Sequence, residues 1–92
     1  MINLSNLDEN KFIDVADYWG DKMPMLLMEE CGELIQAVSK YEREYSKKRR
    51  DNLLEEIRDM YISLEAIKYL YSIDDNELND LIEKKLNKKY WR

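Results

Sequence analysis

Six pairs of acidic residues stand three apart in this chain: Asp14/Asp17, Glu30/Glu33, Glu56/Asp59, Asp74/Glu77, Glu77/Asp80 and Asp80/Glu83. Three-residue spacing puts both carboxylates on one side of a helix, where they can share a cation or divide acid and base roles. Histidine is absent and the one cysteine is Cys31, which removes Ser/His/Asp and Cys/His nucleophilic schemes and histidine-based zinc sites. The remaining chemistry runs on carboxylates, water, lysine, arginine and tyrosine.

Spacing does not rank the six pairs; helical face does. At about 100° per residue, Glu30 falls between Leu26 and Ala37 on one side and Leu34, Leu27 and Val38 on the other, within the apolar arc. Glu33 lies at the edge of that arc, and Glu29, Gln36 and Lys40 on a wetter face. In the next helix Glu56 lies beside Ile67 and Met60, and Asp59 beside Leu70 and Ala66 with Ser63 between, while Glu55, Arg58 and Glu65 point away. Two helices therefore each turn an acidic pair toward the interior. A carboxylate taken from water without a partner costs several kcal/mol, and the apolar arcs supply few basic residues. A divalent cation with a taste for hard oxygen ligands, such as magnesium, compensates better, since helices packed about 8–10 Å apart bring facing carboxylates within reach of one ion.

The elements that must position these residues are helical. Glutamate, leucine, lysine and methionine dominate and no stretch alternates with period two. A first helix is predicted from about Asp8 to Trp19, ended by Gly20. A second opens with Asp21 as cap, accepts Pro24 in its first turn and runs to about Tyr45. Residues 46–50 read as a loop, Asp51 as the cap of a third helix carrying Leu53 to Tyr71, and Asp74 as the cap of a fourth reaching about Lys88. Cys31 and the methionines at 23, 25, 28 and 60 read as packing residues.

The 92 residues, 45% hydrophobic and 38% charged, fit a single domain spanning 1–92, too charged to cross a membrane and too apolar to be disordered. A domain this small gains stability by burying a face against a second copy, so homo-oligomerisation is expected. One cysteine and no apolar N-terminal run point to a reducing cytoplasm. The net charge of −5 disfavours nucleic acid, yet six of fifteen basic residues fall in Lys40–Arg50 and five in Lys84–Arg92, patches suited to one small polyanion.

The stretch Glu29-Glu30-Cys31-Gly32-Glu33-Leu34, followed by Glu55-Glu56-Ile57-Arg58-Asp59, resembles the ExxE…ExxD signature of the MazG-like all-alpha nucleoside triphosphate pyrophosphatases. The spacer from Leu34 to Glu55 is 22 residues, which fits that family's helix-loop-helix hairpin. The resemblance implies a four-helix MazG-like bundle assembled as a homodimer or homotetramer, and cleavage of a nucleoside triphosphate to the monophosphate and pyrophosphate with Mg2+, or Mn2+ in its place. By position Glu30, Glu33, Glu56 and Asp59 match the metal ligands, with Glu33 and Glu56 also catalytic. Arg58 departs from the pattern, which often has a small residue there.

For substrate binding the candidates are Trp19, whose ring can stack on a base, and Lys47, Arg58, Lys84 and Lys88, which can hold phosphates. Tyr18 and Trp91 are further aromatic candidates. Each has a structural role to weigh against this: the aromatics as core or interface anchors, and the two basic clusters as charges after helix C-termini, favourable there by about 0.3–1 kcal/mol. Two other functions fit the sequence. One is a non-catalytic module dimerising through Leu53, Ile57, Met60 and Leu64, which leaves the acidic residues on apolar arcs unexplained; the other is a degenerate pyrophosphatase that binds metal without turnover.

Overall fold

The computed structural model of the protein describes residues 2–88, 91 and 92, and the regular structure among them is entirely helical. After a 3-10 turn at Leu4–Asn6, helix α1 spans Glu9–Trp19. The Asp8 carboxylate caps it by accepting from the Asn10 backbone N–H at 2.9 Å. Gly20 ends it at φ +52°, a conformation open to glycine at little cost, with its N–H bonded to the Ala16 carbonyl.

A second 3-10 turn, Gly20–Lys22, runs directly into helix α2, Met23–Arg43. Asp21 is therefore not the cap predicted for it: the residue before α2 is Lys22, with no side-chain cap, and the Met23 N–H already bonds to the Gly20 carbonyl. A 3-10 lead-in satisfies donors that a capping side chain would otherwise serve.

The hairpin turn is shorter than the sequence suggested. Helix α3 spans Lys47–Leu70, so Lys47 to Arg50 form its first turn instead of a loop, and Asp51 lies inside the helix. Ser46 is the cap: its backbone is extended and its Oγ accepts from the Arg49 N–H at 3.2 Å. Four cations in a first turn oppose the helix dipole, the reverse of the favourable C-terminal placement expected. Two of them are offset locally. Lys47 Nζ lies 2.7 Å from Asp51 Oδ2, and Arg49 reaches back to donate to the Lys40 carbonyl at 2.6 Å, near the end of α2. Replacing Ser46 with alanine is expected to cost about 1 kcal/mol, a drop in thermal midpoint of roughly 4–8 °C by circular dichroism. An unchanged midpoint would mean that the Ser46 hydroxyl contributes nothing as a cap.

Helix α3 closes at Tyr71 and Ser72, the latter at φ +54°, and helix α4, Asp75–Leu86, opens on Asp74, whose carboxylate accepts from the Asn76 N–H at 3.0 Å. Helix α3 is the spine: α2 packs along it most extensively and α1 to a lesser extent. Small residues set the contact. Ala16, Met23 and Ala66 form the enclosed cluster, with Val15, Leu26, Ile67, Tyr69 and Leu70 around it, and Ala37 is buried further along α2. Met23 is enclosed as expected, but Met25 and Met28 project into solvent instead of filling the bundle, because they lie on the side of α2 turned away from α3.

Helix α4 packs only lightly on the rest, and Leu81, Ile82 and Leu86 are exposed. Its start is held by Lys68, which bridges Glu65 and Asp75 at 2.7 Å each. Burial alone would lower the Lys68 pKa, but its bonds to Asp75 and Glu65 outweigh this and hold it above its ordinary value. Next to it the Tyr69 hydroxyl donates to Glu9, tying α3 to the start of α1; that bond, with burial and neighbouring charge, pushes the Tyr69 pKa up to about 12. This group of five was not legible in the sequence: its members come from three helices, and only Glu65 and Lys68, three apart on α3, share a helical pair spacing.

Candidate functional site

Antiparallel pairing of α2 with α3 across a three-residue connection brings Glu30 and Glu33 opposite Glu56. Their ligand oxygens lie within 4.8 Å of one another. Glu30 and Glu56 are half-buried and Glu33 is exposed, as the helical faces required. One oxygen of each buried member, Glu30 Oε2 and Glu56 Oε2, is shut off from solvent and has no hydrogen-bond partner. Such orphaned oxygens are rare in folded proteins and each calls for a cause.

The electrostatics agree with the geometry. Burial, then the negative charges of Glu33, Asp59 and Glu56, raise the Glu30 pKa above 4.5. Burial, then proton sharing with Glu33 and the charges of Glu33, Asp59 and Glu55, raise that of Glu56. Like charges a few ångströms apart without a cation resist ionisation together.

Asp59 acts on both glutamates through its charge but is not within the group of three. Its Oδ1 lies 2.9 Å from Arg58 Nε, so the arginine that departs from the expected pattern is the group that engages it. Asp59 is also fixed through its backbone, since the buried Ser63 hydroxyl donates to its carbonyl at 2.9 Å. Ser63 thus supports the turn of α3 that carries Glu56 and Asp59. Cys31 Sγ lies 3.9 Å from Met60 Sδ, a contact between α2 and α3 in keeping with a packing role.

A cation fits this donor set. Glu30, Glu33 and Glu56, with ligand oxygens within 4.8 Å of one another, would hold a divalent cation that favours hard oxygen ligands. All candidate ligands are hard carboxylate oxygens, and the orphaned oxygens are the atoms a cation would satisfy.

The other candidates are more dispersed. Trp19 ends α1, partly exposed, with its ring edge-to-face against Tyr18 at 5.3 Å. Lys47 is exposed and paired with Asp51. Lys84 and Lys88 are exposed, on α4 and just beyond it; Lys89 lies outside the described residues. Trp91 is exposed, with the Arg92 guanidinium 5.4 Å from its ring centre. On the other side of α3 an apolar groove of about 690 Å³ runs between Phe12 and Val15 of α1 and Leu54, Ile57 and Tyr61 of α3, with Lys11 and Arg58 also lining it. The sequence did not reveal this groove, since it needs the placement of α1. Among the described residues no helix is long and apolar enough to cross a membrane. No protein-family model matches the chain, and neither the curated proteins nor the solved structures compared with it include a match.

Proposed function

We propose that the protein is a MazG-like, magnesium-dependent nucleoside triphosphate pyrophosphohydrolase of the cytoplasm, releasing a nucleoside monophosphate and pyrophosphate. The observation that carries this reading is the pair of orphaned, buried carboxylate oxygens on Glu30 and Glu56, residues whose carboxylates cluster with that of the exposed Glu33. Glu30, Glu33 and Glu56 would hold the ion, with Asp59 joining them if it exchanges Arg58 for the metal. When bound, magnesium supplies positive charge that offsets the charge of the triphosphate and its leaving group.

The protein's own residues supply the rest. Glu33, open to solvent, orients a water and takes its proton as the water oxygen bonds to the α-phosphorus. The bond from that phosphorus to the α,β-bridging oxygen breaks, and pyrophosphate leaves with the electron pair. Trp19, Lys47, Arg58, Lys84 and Lys88 are the proposed substrate contacts. The exposed apolar edge of α4 supports a four-helix bundle completed by a homodimer or homotetramer, and nucleic acid is not a proposed ligand.

A second reading has one observation in its favour: the Arg58–Asp59 pair occupies a carboxylate that the reaction would need, as in a degenerate enzyme that binds metal without turnover. Incubating the protein with Mg2+ and a panel of nucleoside triphosphates separates the two. Pyrophosphate and monophosphate in equal amounts are expected; orthophosphate as the first product would overturn attack at the α-phosphorus. Saturable Mg2+ binding with no turnover on any triphosphate would favour the degenerate enzyme.

A further inference from the structure

Three charged residues line the apolar groove between α1 and α3: Asp8, Lys11 and Arg58. Two of them are already engaged. Asp8 caps α1 by accepting from the Asn10 N–H at 2.9 Å, and Arg58 meets Asp59 through Nε at 2.9 Å. Lys11 is exposed, and among the described residues no carboxylate pairs with it. It stands in the first turn of α1, where the helix dipole opposes a cation. An unpaired lysine there destabilises its helix, in a chain with twenty acidic residues against fifteen basic. An anion beside Lys11 would remove that cost.

The walls give the second observation. Apart from Asn6 and the Tyr61 hydroxyl, the remaining lining is apolar. Leu7, Leu54 and Tyr61 stay 52%, 49% and 40% exposed, so about half of the surface they offer is uncovered. At about 690 Å³ the groove has the size of a small-molecule site. Its lining carries one net positive charge, Lys11 and Arg58 against Asp8. An apolar body bearing one negative charge matches both the walls and that charge.

We propose that this groove binds a free alkyl monocarboxylate, its chain lying against Phe12, Val15, Leu54 and Ile57 and its carboxylate on Lys11. The terminal nitrogens of Arg58, which Asp59 leaves unused, are further donors to the same head group. A single unbalanced cation selects a monoanion over a polyphosphate, and the apolar walls select an alkyl chain over a small polar anion, whose hydration they could not replace. An ammonium and a guanidinium both donate to carboxylate oxygens. The groove lies on the other side of α3 from Glu30, Glu33 and Glu56, so this site stands or falls apart from the proposed metal chemistry.

Calorimetric titration with decanoate is the test. Saturable binding of one decanoate per chain is expected, with octanoate weaker by about two- to fourfold for each methylene removed, fourfold being the value for complete burial. Decanol and decylammonium should bind less tightly than decanoate. Lys11→Glu, an exposed change, should keep the helical circular dichroism spectrum and transfer the preference to decylammonium, while Lys11→Arg keeps it with decanoate. Leu54→Gln should weaken decanoate and decanol alike and leave triphosphate turnover unchanged. Glu56→Gln should bind decanoate as the wild type does. No saturable binding up to about 10 mM decanoate, or a folded Lys11→Glu that still prefers the carboxylate, would overturn the proposal. Absence of binding by a protein that sediments as a dimer would assign the groove to a second copy and overturn it as well.

Discussion

Replacing Glu56 with glutamine is expected to lower triphosphate turnover by about 100-fold, the scale on which removal of one charge-stabilising group in an active site acts, while the metal-free protein becomes more stable. The two effects have one origin. In the absence of metal, Glu56 carries a charge that burial penalises and that Glu33, Asp59 and Glu55 repel, and its Oε2 has no partner. Glutamine keeps the shape and removes the charge, so the melting temperature of the metal-free protein is expected to rise.

The same change removes a ligand. Added Mg2+ should raise the melting temperature of the wild type and leave that of Glu56→Gln nearly unmoved, since a ligand stabilises only in proportion to its affinity for the folded form. Calorimetry with and without Mg2+, alongside pyrophosphate release, reads both signs. A carboxylate held by structural hydrogen bonds would respond oppositely and destabilise on neutralisation; that result would remove the metal reading of Glu56. Glu33→Gln provides the contrast. Its side chain is exposed, so the substitution relieves repulsion of Glu30 and Glu56 but no burial cost of its own, and turnover should fall with a smaller gain in stability than for Glu56→Gln.

The helical class and the identity of the three clustered glutamates were legible because both depend on periodicity alone. Glu30 and Glu56 sit on apolar arcs of the sequence, and the chain's own packing turns those arcs inward. Asp59 was read on the same footing, but its side chain meets Arg58, a neighbour one residue away that helical-face arithmetic assigns to solvent. A long, flexible guanidinium can fold back along the helix, which a projection of Cβ directions does not describe. The hairpin turn is shorter than expected for a related reason. Basic residues at 47–50 oppose a helix start electrostatically, yet the Ser46 cap and the reach of Arg49 to the Lys40 carbonyl offset this. Apolar type alone places Met25 and Met28 in the core; only the position of α3 shows that they lie on the outer side of α2.

Lowering the pH should stabilise the metal-free protein and weaken its hold on magnesium. Glu30 and Glu56 both have pKa values raised above 4.5, chiefly by burial. The folded chain therefore keeps protons at pH values where the unfolded chain has lost them. Their contribution to stability is fully present below the ordinary value of 4.5 and is lost as pH rises through the raised, folded values. From pH 8 down toward pH 5 the melting temperature of the metal-free wild type should climb. Reduced self-repulsion in a chain of net charge −5 adds to that climb, so the comparison is with Glu30→Gln/Glu56→Gln, which lacks both groups and nearly preserves the rest of the charge distribution. The wild type should show the steeper dependence. With saturating Mg2+ the order reverses, because the cation needs ionised ligands and competes with protons for them: the stabilisation by metal should be greatest near pH 8 and fade toward pH 5. Parallel pH profiles for the wild type and the double variant, with or without Mg2+, would mean that the two buried carboxyls are not the groups that titrate and that the ion binds elsewhere.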